Sequence, residues 1–101
     1  KTVADAHQID LQCEALFPGI PAFENRADSE LVKLAESLTG HQAETVAYGT
    51  EGPFMQQLGM DTVVMGPGSI DQAHQPNEFL ALSQIEPTIS VLKQMIARCC
   101  L

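Results

Sequence analysis

Asp61-Thr62-Val63-Val64-Met65-Gly66-Pro67-Gly68-Ser69 is a β-branched run that empties into a glycine- and proline-rich turn. Valine and threonine suit a pleated, buried surface, so Asp61 to Met65 predicts a buried strand. Ala43 to Tyr48 (AETVAY) predicts a shorter strand upstream, and Ile9 to Leu16 (IDLQCEAL), which alternates imperfectly, predicts a third. Helical patterns lie between and after them. Leu31, Val32, Leu34, Ala35 and Leu38 make one apolar face, with Asp28 or Ser29 placed to cap it and Gly40 placed to end it. Gly49-Thr50-Glu51-Gly52-Pro53 reads as a turn, with Pro53 suited to open a short helix over Phe54 to Leu58 that Gly59 closes. Leu82, Ile85, Ile89, Leu92 and Ile96 recur at steps of three and four, which predicts a final helix that Pro87 bends or starts. The order strand, helix, strand, helix, strand, loop, helix predicts an α/β layered fold with mostly parallel strands and flanking helices. Two or three strands cannot cover both faces of a parallel sheet, so the chain reads as part of a larger one. Phe17-Pro18-Gly19-Ile20-Pro21 stops regular structure and is the candidate domain boundary.

Composition narrows the function classes. The 101 residues fit one domain at most, with 45% hydrophobic and 18% charged residues, as in globular proteins. A net charge of −8 excludes a basic nucleic-acid footprint and disfavours an anionic membrane surface. It suits a cationic substrate or simple solubility. No apolar run approaches the ~20 residues of a membrane span. The first thirteen residues lack a signal-peptide core, and the chain opens on Lys1 rather than Met, which reads as a fragment or a processed product. Cys13, Cys99 and Cys100 offer neither a C-x-x-C spacing nor an even count, so reduced cytoplasmic thiols are expected.

His74 is the first candidate for chemistry. It follows a strand and a glycine-rich turn, where α/β sheets place their sites, and a neutral imidazole is a common zinc ligand. It reads equally as a solvent-exposed loop histidine, because no H-E-x-x-H and no nearby histidine completes a site. Gly66 to Ser69 could bring backbone N–H groups to a carboxylate, or could be a tight turn with no ligand. Thr50 could donate to a carboxylate or hold a neighbouring loop. Glu51 could pair with a substrate ammonium, or could be a solvated charge at a helix start. Glu78, four residues after His74, could support that histidine from behind or cap the following helix. His7 and His41 read as surface residues. Cys99 and Cys100 end a helix, where the dipole disfavours a thiolate.

Two blocks carry a resemblance: VAYGTEGPFMQQLG at residues 46–59, and VVMGPGSIDQAHQPNEFL at residues 63–80. In order and spacing they resemble the C-terminal end of the acetylornithine deacetylases, within the dizinc aminoacylase, carboxypeptidase and deacylase superfamily. The resemblance implies residues 1–16 as the end of a lid or dimerisation domain. It implies residues 17–101 as the C-terminal part of a zinc-hydrolase catalytic domain. His74 matches the family's final zinc ligand, while the other ligands and the glutamate acting as general base come from the N-terminal half. The implied reaction is hydrolysis of N2-acetyl-L-ornithine to ornithine and acetate by a cytoplasmic homodimer of arginine biosynthesis. Two zinc ions, or cobalt in their place, would activate water and polarise the acyl carbonyl. The resemblance places Thr50, Gly68 and Ser69 in pocket-lining segments, and with such a substrate Glu51 becomes a candidate partner for the δ-ammonium. The chain alone is then expected to be inactive and to need the N-terminal half.

Two other readings stand beside this one. Succinyl-diaminopimelate desuccinylases of the same superfamily carry a serine-aspartate-glycine-arginine stretch where this chain has Glu51-Gly52-Pro53. A non-catalytic acidic interaction domain would instead be a monomer with its own core.

Overall fold

Ser29 starts the best-formed local structure of the chain. Its Oγ accepts the Val32 N–H at 3.3 Å, which satisfies one free donor of helix α2, Glu30–Thr39. Gly40 ends α2 with φ of +74° and donates its N–H to Glu36 O at 2.9 Å. Both ends match the sequence expectation, although Asp28 is engaged elsewhere. It takes a two-pronged ion pair from Arg26, at 3.0 and 2.7 Å. Leu31, Val32, Leu34, Ala35 and Leu38 are half-buried, so the expected face of α2 does turn inward.

The computed structural model describes residues 3–101. In order it holds α1 (Val3–Ala6), α2, α3 (Gly52–Gln57) and α4 (Ile85–Cys100), with single 3-10 turns at Ile70–Gln72 and Leu82–Gln84. Pro53 lies in the first turn of α3 and Gly59 follows the helix with φ of +84°, as the sequence predicts. Pro87 sits in the first turn of α4, where its missing N–H has no helical partner to lose, so it opens the helix without breaking it. The expected lid segment 1–16 includes Lys1 and Thr2, which lie outside the described residues.

No strand occurs among the described residues. Ile9 to Leu16, Ala43 to Tyr48 and Asp61 to Met65, all expected as strands, are irregular instead, and this chain by itself does not form the layered α/β sheet. The reason is that a strand exists only with a neighbour to complete its ladder. No backbone hydrogen bond joins 43–48 to 61–65. The Ala43 N–H goes to the Glu36 carboxylate at 2.8 Å, which ties this segment to α2 rather than to another strand.

Helix α4 forms where its pattern predicts, with apolar residues on two sides. Ile85, Ile89, Leu92 and Ile96 are 38–56% exposed, and the half-buried positions are Thr88, Val91 and Met95. Helices α2 and α4 touch each other. A helix with apolar residues on two sides is built to be covered on both. The same holds for the chain at large. Its described residues include no buried hydrophobic side chain, and only Gly52 and Pro53 are buried. The radius of gyration is 19.2 Å, whereas a compact chain of this length has about 13 Å. The accessible surface is 8961 Å² at 10.9 kDa. A compact protein of that mass exposes about 5,600 Å², leaving an excess of about 3,400 Å². That excess is several times the ~800 Å² one partner contributes to an ordinary stable interface. Among the described residues no helix is long and apolar enough to cross a membrane.

Candidate functional site

The glycine-rich turn after Met65 leads into a tightly folded loop that carries His74. Gly68 has φ of +86°, and a Cβ there would stand 3.1 Å from Leu80 Cδ1, so both backbone and space call for glycine. Ser69 Oγ accepts the Asp71 N–H at 3.2 Å and caps the Ile70–Gln72 turn. The turn closes through Gln72 N–H to Ser69 O and Ala73 N–H to Ile70 O, at 3.1 and 3.0 Å. His74 then adopts a left-handed backbone, φ +58°, and Asn77 does the same at +59°. The His74 N–H donates to Glu78 Oε2 at 3.2 Å. Glu78 therefore meets the histidine at its main chain.

An open groove of about 810 Å³ runs beside this loop. Val32 and Ala35 of α2 form one wall, Val46 another, and Val63, Met65 and Leu80 the rest. Gly68, Ser69 and Glu78 reach this groove, whereas His74, Thr50 and Glu51 do not line it. Thr50 lies at the start of α3, where its Oγ1 accepts the Gly52 N–H at 3.1 Å. A hydroxyl that accepts still has its own proton to donate, so Thr50 and Ser69 each keep one donor. Glu51 precedes α3 and makes no capping bond with its side chain. It is exposed, as is His74.

Gly52 is where this region packs most closely. A Cβ on it would stand 2.8 and 2.9 Å from the Phe23 ring. Gln56 of α3 donates to Glu24 O at 3.2 Å, so segment 23–24 is held against α3 at two points. The sequence reading missed Phe23, Gln56 and Asn77. For Asn77 a signal existed, since asparagine tolerates the left-handed region better than most residues. For Phe23 and Gln56 no local pattern marks the contact.

Among the described residues no group of three His, Cys, Asp or Glu side chains could hold a metal ion. A zinc site requires three or four donors, so the described residues do not form one by themselves. The imidazole of His74 is a donor of the kind that binds zinc, and one histidine supplies one of those donors.

Similarity to known proteins supplies the rest of the context. The model of peptidase family M20/M25/M40 matches residues 8–98. This chain belongs to that family. It is 48% identical over 91 residues to the acetylornithine deacetylase of Proteus mirabilis, covering 90% of this chain and 23% of that protein. It is 47% identical over 90 residues to the acetylornithine deacetylase of Aliivibrio salmonicida, covering 89% and 24%. The acetylornithine deacetylase of Pasteurella multocida is also 47% identical over 90 residues, covering 89% and 23%. The chain thus spans about a quarter of the length of the M20/M25/M40 proteins it matches. No solved structure matches it. Members of the M20 family are metal-dependent hydrolases.

Proposed function

We propose that this chain is the C-terminal portion of an acetylornithine deacetylase, which hydrolyses the amide of N2-acetyl-L-ornithine to ornithine and acetate in cytoplasmic arginine biosynthesis. One observation carries the reading: 47–48% identity to acetylornithine deacetylases along nine-tenths of the chain. Residues 1–16 then end a lid or dimerisation domain, and residues 17–101 return to the catalytic domain. The remainder of the protein supplies the strands that turn segments 43–48 and 61–65 into a mostly parallel sheet, and the whole forms a homodimer. The groove beside α2 and the two-sided apolar surface of α4 support this, because both call for cover that the chain lacks.

In this reading His74 gives one imidazole to a zinc site completed from outside the chain, with two zinc ions per site and cobalt able to replace them. The other ligands and the general base also lie outside, so the chain alone is inactive. Thr50 and Ser69 offer hydroxyl donors to the substrate, and Gly68 lets the backbone approach it. Glu51, exposed and free of capping duty, pairs with the δ-ammonium.

Residues 17–101 can be grafted in place of the matching segment of the Proteus mirabilis enzyme. The reading predicts that this chimera hydrolyses N2-acetyl-L-ornithine in preference to N-succinyl-diaminopimelate, and that the 101-residue chain hydrolyses neither. A folded chimera that ignores acetylornithine, or that favours the succinyl substrate, overturns it.

A further inference from the structure

We infer that Glu78 is a positioning residue that grips the main-chain N–H of His74 and so fixes the left-handed turn from which the imidazole projects. The inference deepens the proposed role of His74 as a ligand and rests on that role for its importance. It follows from the loop itself. A residue with a Cβ disfavours positive φ, yet His74 holds φ of +58°. Its amide meets Glu78 Oε2 at 3.2 Å, a hydrogen bond assisted by the carboxylate charge. The Glu78 N–H in turn donates to Gln75 O at 3.1 Å, so residues 74–78 close on themselves through two bonds. Asn77, at φ +59°, turns the chain back and brings the carboxylate within reach. The direction of the Cα–Cβ bond at residue 74 depends on its φ and ψ. A change from left-handed to extended backbone would therefore swing the ring away from its present exit.

Conventional support of a metal-ligating histidine acts on the ring, through its second nitrogen. Here the contact is to the backbone, which makes a different prediction. An acceptor oxygen at the reach of a glutamate side chain is required, and a formal charge is not. Glutamine at 78 keeps that oxygen, whereas alanine removes it.

The grafted chimera, freed of metal and labelled for NMR at its histidines, tests this directly. The intraresidue amide–Hα NOE is strong only at positive φ, and it should be strong at His74. Glu78→Ala should abolish it and speed exchange of the His74 amide at least threefold, while Glu78→Gln keeps the NOE. The inference is overturned if Glu78→Ala leaves the NOE and exchange unaltered, or if Glu78→Gln behaves like alanine. The ligand role is read separately, in the zinc content of the chimera carrying His74→Ala. Either reading can therefore fail while the other stands.

Discussion

Replacing Gly52 by alanine should expose how tightly the Phe23 segment is pressed against α3. The new methyl would lie 2.8 Å from Phe23 Cε1 and 2.9 Å from Cζ. Carbon atoms rest at roughly 3.5–4.0 Å, so the ring must retreat by about 0.7–1.2 Å. Overpacking of that kind costs about 1–3 kcal/mol. Alanine is also a better helix residue than glycine, by up to about 1 kcal/mol, which offsets part of the strain at this helix start. The net expectation is a loss of about 1–2 kcal/mol. Urea unfolding of the grafted chimera, followed by circular dichroism, measures it. Phe23→Ala leaves only the 3.1 Å approach to Thr50 Oγ1, which alanine's helix preference offsets, so in that background Gly52→Ala should cost little. The two substitutions should therefore couple by about 1–2 kcal/mol. Coupling below about 0.5 kcal/mol, the range expected of independent sites, would refute the close approach of Phe23 to Gly52.

Ser29→Ala should destabilise α2 by about 1 kcal/mol, since the Val32 N–H loses its acceptor; urea titration of the same chimera reads this. Gly68→Ala should lower stability by about 1–2 kcal/mol through its left-handed backbone, while Gly66→Ala, with open space around its Cβ, should change little. The Lys33 amine, at 2.8 Å from Glu30, is held above its ordinary pKa of 10.5 by that hydrogen bond and then by the charge. Its contribution is complete below the ordinary value and disappears as pH rises through the raised one. The pair is exposed and screened, so only a slight loss of α2 helicity should accompany that rise in a circular-dichroism pH titration.

The helices were legible because their signals are local. Ser29 and Gly40 bracket α2, Pro53 and Gly59 bracket α3, and each device acts within a turn or two of chain. The strand expectations rested on β-branched composition at Asp61 to Met65 and on imperfect alternation at Ile9 to Leu16, and local pattern cannot provide the neighbour that a ladder needs. Asp61 to Met65 has the residues of a buried strand but no strand beside it among the described residues. The α4 pattern marked a helix correctly, and the side with Val91 and Met95 is the one half-buried. Two apolar sides on one helix leave the choice to whatever surrounds it. At the site, its place after the glycine-rich turn singled out His74, and spacing from His74 singled out Glu78. The link between them was not legible, because it runs through a backbone amide made available by a positive φ.

The central claim is that His74 contributes one ligand to a metal site completed by the remainder of an M20-family hydrolase. Zinc bound per protomer, measured by mass spectrometry after exhaustive dialysis of the chimera with His74 intact or replaced by alanine, tests it most directly. The account predicts that His74→Ala lowers the bound zinc by about one ion, the change expected when a three- or four-donor site loses a ligand, with the circular-dichroism spectrum preserved. Equal zinc content in the two folded proteins would contradict it.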